Sequence, residues 1–194
     1  MRSILFFILF IQLFACKSED KIISERIAAE VSSLQSIEDK KAFLEKIFQD
    51  HVDNRLAETE IWNKDGRGPT GKGSEAYQAE INSNRAEDLI LSEKLHVYLN
   101  TFGYPSIMKM GRKAAIIPIA HMTYIDDDKM LADNFTYFYD AYKFNDITSD
   151  VFYDYLYNLN NLSWKERREL LKDRTHEQVI DTLLSMAKTK IDKK

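Results

Sequence analysis

His121 is the side chain with the clearest chemical use. It ends an apolar stretch just after Pro118, and the carboxylates of Asp126, Asp127 and Asp128 follow closely. A carboxylate beside an imidazole favours the charged ring and raises its pKa, which suits a general acid or base. The plainer expectation is a buried, hydrogen-bonded structural histidine, and the three acids equally suit a helix N-terminus. His51 and His96 fall on helical stretches with no evident partner, and His176 reads as first-turn surface.

Other motifs lack a decisive residue. Gly66 to Gly73 begins like a phosphate-binding loop, but Gly73 stands where a hydroxyl must hold Mg²⁺. His176-Glu177 begins like a zinc-protease helix, yet Ile180 occupies the second histidine position. The three acids at 126–128 lack the glycine and distal glutamate of a calcium loop. No metal site and no cofactor are therefore expected. Ten aromatic rings lie between Phe135 and Tyr157. Helical spacing assigns about half of them to a core face. Tyr137, Tyr153 and Tyr157 fall off that stripe and are the candidate ligand surface, since tyrosine offers contact area with few rotors.

The elements that must carry these residues are helices. Gly and Pro total only 9 of 194 residues, too few turn formers for a many-stranded protein. Apolar positions recur at three- and four-residue spacing, as in Ile23, Ile27, Val31 and Leu34, then in Phe43, Leu44, Ile47, Phe48, Val52 and Leu56. Ser36-Ile37-Glu38-Asp39, Ser163-Trp164-Lys165-Glu166 and Thr175-His176-Glu177-Gln178 read as capping boxes. Ser74 caps a long helix that stops at Gly103, with Pro105 just beyond. Gly111 to Thr123 is helical in pattern, and Pro118 predicts a kink or restart within it. The fold class is all-α: a single irregular domain of six to eight helices over 23–194, with a flexible loop at 63–74 that holds four of the six glycines.

The first fifteen residues belong to a different class of segment. Arg2 precedes a run from Ser3 to Ala15 that is apolar except at Ser3 and Gln12. As a helix it spans about 20 Å, short of the roughly 30 Å hydrocarbon core, so it reads as a cleaved signal segment. Leu13-Phe14-Ala15-Cys16 resembles the lipobox of bacterial lipoproteins, with Phe14 departing from the usual small residue. The resemblance implies that Cys16, the chain's one cysteine, takes a diacylglyceryl group and further acyl chains such as palmitate as residues 1–15 are removed. Three chains on one residue make a lasting anchor, since each buried CH₂ adds about 0.8 kcal/mol. Residues 16–22 then form a polar tether, and Lys17-Ser18-Glu19-Asp20-Lys21 resembles the tag by which some bacteria display lipoproteins on the cell exterior. Loss of the leader removes one basic residue and no acid, leaving 26 basic against 31 acidic, or −5. That balance gives nucleic-acid binding no electrostatic support.

Residues from about 80 to 145 are similar to a family of small helical bacterial domains of unknown function. The shared features are Asn84 ahead of an apolar helix, the Gly103-Tyr104-Pro105-Ser106 turn, and an Ala-rich helix from Gly111 to His121. Ala120 stands where the family has Gln, and no Gly-Thr-Gln-like segment follows Tyr155. The resemblance implies a helical fold and no particular activity.

Two functional expectations follow. The preferred one is a lipid-anchored module of the bacterial cell envelope, at the outer membrane on its periplasmic or surface face, that binds an envelope protein, a glycan or another ligand. The alternative is a hydrolase-like enzyme centred on His121 with nearby carboxylates. Binding is preferred because no nucleophile, metal set or cofactor loop can be assembled from the motifs.

Overall fold

A computed structural model describes residues 21–65 and 74–192. The leader, Cys16 and most of the glycine-rich loop lie outside these residues. The described chain is eight helices without a strand: α1 (21–32), α2 (Ile37–Asp65), α3 (Glu75–Phe102), α4 (Ile107–Met122), α5 (Asp128–Lys143), α6 (Ser149–Leu159), α7 (Trp164–Leu171) and α8 (His176–Ile191). The all-α expectation holds.

The helix ends fall where their side chains satisfy the free backbone groups. At α2 the Asp39 amide donates to Ser36 Oγ at 3.0 Å, and the Ser36 amide donates to the Asp39 carboxylate at 2.9 Å. Reciprocal boxes also open α7 and α8, at Ser163/Glu166 and Thr175/Gln178. Asp127 caps α5 by accepting from the Lys129 and Met130 amides, both at 2.9 Å. Gly103 ends α3 with φ 75° and ψ −172°, in a backbone region essentially confined to glycine.

The break in α4 differs from expectation. Pro118 stays inside the helix, and the non-helical residue is Gly111, at φ 80° and ψ 168°. Proline's fixed φ is compatible with a helix, so Pro118 costs one backbone bond. The fully buried Ile117 and Ile119 beside it hold the turn in place. Glycine alone reaches the Gly111 conformation cheaply, so the chain bends there.

The helices α2 and α3 form the longest unit, an antiparallel hairpin. Their contacts run in opposite order along the two helices: Trp62 meets Tyr77, Arg55 meets Asp88, and Phe43 meets Tyr98. Helix α4 packs on α2, while α6 packs on α8 and α5. The two groups join where α4 meets α6 and α3 meets α5. Leu95, Tyr98, Ile119, Phe138, Phe152 and Leu183 are among the fully buried side chains. Each contributes about 1.5–3 kcal/mol relative to exposure. Asn158 on α6 clamps the end of α4, donating to the carbonyls of Met122, Thr123 and Ile125 at 3.3, 3.5 and 3.0 Å.

Candidate functional site

Three helices deliver polar side chains to one buried point. On α2, His51 and Arg55 are four residues apart, as are Asn54 and Glu58, so each pair shares a face. On α3, Asn84, Asp88 and Ser92 recur every fourth residue. They form a polar stripe beside the apolar stripe of Leu91, Leu95 and Leu99. The last turn of α4 adds His121. Asn84, Asp88, Ser92, His51 and His121 are all buried, His121 completely.

The hydrogen bonds assign the tautomer of His121. Its Nε2 lies 3.1 Å from the Asp88 carbonyl oxygen and 3.0 Å from Ser92 Oγ. A carbonyl can only accept, so Nε2 carries the proton. Ser92 Oγ in turn donates to the same carbonyl at 2.7 Å. The lone pair of His121 Nδ1 then faces His51 Nδ1 at 3.2 Å, with the two rings edge-on at 81°. A second set of bonds backs the first. Arg55 donates to Asp88 Oδ2 and, at 3.2 Å, to Glu58, while Asn84 donates to the Asn54 carbonyl at 3.1 Å and to Glu58 at 3.3 Å. Asp88 Oδ1, Asn54 Nδ2 and Arg55 Nε are buried without a partner among the described residues.

Burial governs the charge of both rings. Removal from water pushes His51 down to about 4, helped by repulsion from His121 and Arg55 and opposed by Asp88. His121 is also lowered by burial, although its bond to the Asp88 backbone and the Asp88 charge pull the other way. Both imidazoles are therefore neutral at neutral pH. This reverses the expectation of a raised His121 pKa. The carboxylate that acts on His121 is Asp88 of α3, and the Asp126–Asp128 turn serves α5 and the surface instead.

A cleft of about 340 Å³ opens beside this cluster, lined by Arg85, Asp88, Leu89, Tyr124, Asp126 and Asp127. Tyr124 is 59% exposed and its ring stands 5.2 Å from that of His51, with the Arg55 guanidinium 5.4 Å away. Leu89, 61% exposed, adds an apolar wall.

Of the three tyrosines expected at a ligand surface, Tyr153 is not available to one. Tyr153 is fully buried and stacks on His176 at 4.2 Å, because the packing of α6 on α8 turns it inward. Tyr157 is half-buried under Arg167, and the half-buried Tyr137 donates to Asn100 Oδ1 at 2.9 Å. His96 has partners that its sequence position did not suggest, Asn134 at 3.1 Å and Asn100 at 2.9 Å. His176 Nδ1 lies 2.6 Å from Asp150. Arg55, Asp88 and Ser92 were absent from the expected set. The fourth-residue polar stripe on α3 was the signal that could have found them.

No protein-family model, curated protein or solved structure matches this chain.

Proposed function

We propose that this chain is a lipid-anchored module of the bacterial cell envelope that works by binding a protein, glycan or other envelope ligand. The observation that carries the reading is the position of the chain's single cysteine, directly after an apolar leader and an Ala residue. Among the described residues no helix is long and apolar enough to cross a membrane, so in this reading attachment falls to Cys16. Cleavage before Cys16 and acylation of its sulfur and new amino group would hold the helical domain at the outer membrane, on its periplasmic or surface face. The mixed apolar and charged cleft around Leu89, Tyr124 and Arg85 is the surface best suited to a ligand, since exposed aromatic and arginine side chains favour interfaces.

The alternative, a hydrolase using His121, has less support. His121 is fully buried and both ring nitrogens already have protein partners, whereas a general base needs hydrogen-bond reach of a substrate proton.

Fractionation with mass spectrometry tests the anchor. The wild-type chain should partition with membranes and carry acyl mass on an N-terminal Cys16, and Cys16→Ser should move to the soluble fraction. A bare thiol or an intact leader on the mature protein rules the reading out. Capture of envelope partners by the acylated protein, compared with Arg85→Ala and Tyr124→Ala forms, then tests the cleft.

A further inference from the structure

We propose that His51, Asp88 and His121 form a binding site for one divalent transition-metal ion of the zinc class, beside the cleft that Asp88 and Tyr124 line. No motif search exposes this set, because its members come from α2, α3 and the end of α4, with 36 and 32 residues between successive ligands.

The geometry has the required scale. One ligand atom from each residue lies within 4.8 Å of the other two. The two Nδ1 atoms stand 3.2 Å apart. Two nitrogens bound at about 2.0–2.1 Å to a tetrahedral ion stand roughly 3.4 Å apart, so little movement is needed. Two imidazoles and one carboxylate form a ligand set that zinc and iron(II) both accept, with a position left open.

The surroundings resemble those of a metal ligand. A ligating histidine usually donates its other N–H to a carbonyl or carboxylate, which fixes the ring and raises its basicity. His121 does so through Nε2, to the Asp88 carbonyl. Asp88 Oδ1 is buried and has no hydrogen-bond partner, while Oδ2 is held by Arg55. Arg55 opposes a cation, but Glu58 pairs with Arg55, so the three charged groups together carry one net negative charge. His51 must release its Nδ1 proton to ligate. The same neutral ring can carry that proton on Nε2 instead, so ligation requires a change of tautomer and no change of ring charge.

The rival arrangement is a purely structural hydrogen bond from His51 to His121, and metal titration separates the two. The full-length protein, purified in detergent and stripped with chelator, is titrated with Co²⁺ and then Zn²⁺. The expected result is one equivalent of Co²⁺ with the visible ligand-field bands of nitrogen ligation, displaced by Zn²⁺. His51→Gln and Asp88→Asn should weaken binding by more than the roughly 10–100-fold that loss of an outer-sphere partner costs. Ser92→Ala should fall within that range, and His96→Gln and His176→Gln should change nothing. The wild-type titration decides even where a variant fails to fold: without a one-equivalent Co²⁺ spectrum the proposal is wrong. Binding that survives both His51→Gln and Asp88→Asn also overturns it. The outcome is independent of acylation at Cys16.

Discussion

Arg55 of α2 and Asp88 of α3 are joined by a guanidinium–carboxylate bond across the hairpin, next to the paired histidines. Removing one partner of a buried pair leaves an uncompensated charge, which costs more than the pair itself contributes. Arg55 keeps 25% of its side chain in solvent, so the lower end of the range applies. Arg55→Leu should lower stability by about 3 kcal/mol. Arg55→Leu with Asp88→Leu should cost less than the sum of the single changes. Urea midpoints in metal-free buffer measure both, and strict additivity would show that the pair is energetically silent.

Gly111 and Pro118 should respond in opposite senses. A Cβ at Gly111 meets no atom within 4 Å, so Gly111→Ala introduces backbone strain without a clash. At φ 80° and ψ 168° that strain is about 1–3 kcal/mol. Pro118→Ala returns a backbone donor to a helix that is already formed there, so it should be neutral or stabilising. Thermal midpoints of the two variants check the assignment. Greater destabilisation by Pro118→Ala than by Gly111→Ala would contradict it.

Alkaline pH should unfold the protein through its buried phenols. Burial pushes Tyr98 up to about 12 and raises Tyr104 and Tyr155 well above the ordinary value near 10. Between pH 10 and 12 the unfolded chain has lost protons that the folded chain keeps. Stability is therefore intact below pH 10 and falls as pH rises through 12. Tyr98→Phe should flatten this slope while leaving the Tyr104 and Tyr155 contributions. Denaturant midpoints from pH 9 to 12 give the slopes directly; identical slopes in wild type and variant would refute the assignment to Tyr98.

Helix α7 buries no residue, so its own cap matters more than packing. Ser163→Ala should speed amide exchange over α7 by about fivefold, the equivalent of a typical N-cap loss, with little change in the global midpoint. Glu166 is held below the usual carboxylate range by side-chain and backbone bonds to Ser163. A depressed folded pKa means that the box is fully intact above the ordinary carboxylate pKa and is lost as pH falls through the lower folded one. Exchange over α7 should thus quicken only in acid below the ordinary carboxylate pKa.

Much of this architecture is legible because helix ends are decided locally. Ser36, Ser74, Ser163 and Thr175 each cap a helix through a residue three positions away, and Gly103 stops α3 by its own backbone freedom. The His51–Asp88–His121 cluster is not decided that way. Its members meet only after α2, α3 and α4 pack, so the nearest acids in sequence, Asp126 to Asp128, were a poor guide to the acid nearest in space. Tyr153 illustrates the same limit. It lies off the main aromatic stripe of its own helix, yet α8 and Arg167 cover it from outside that helix.

The hairpin of α2 and α3 also affects how the molecule moves as a body. Beyond Asn54 on α2, and before Asn84 on α3, no side chain that the structure describes is buried, although Trp62 and Tyr77 stay in contact at 5.0 Å. Those final turns of α2, at 1.5 Å per residue, extend roughly 15 Å past the last buried side chain. Mass carried that far from the centre makes tumbling anisotropic: rotation about the hairpin axis is faster than rotation end over end. Amides along this arm should report a different correlation time from those in helices lying across it.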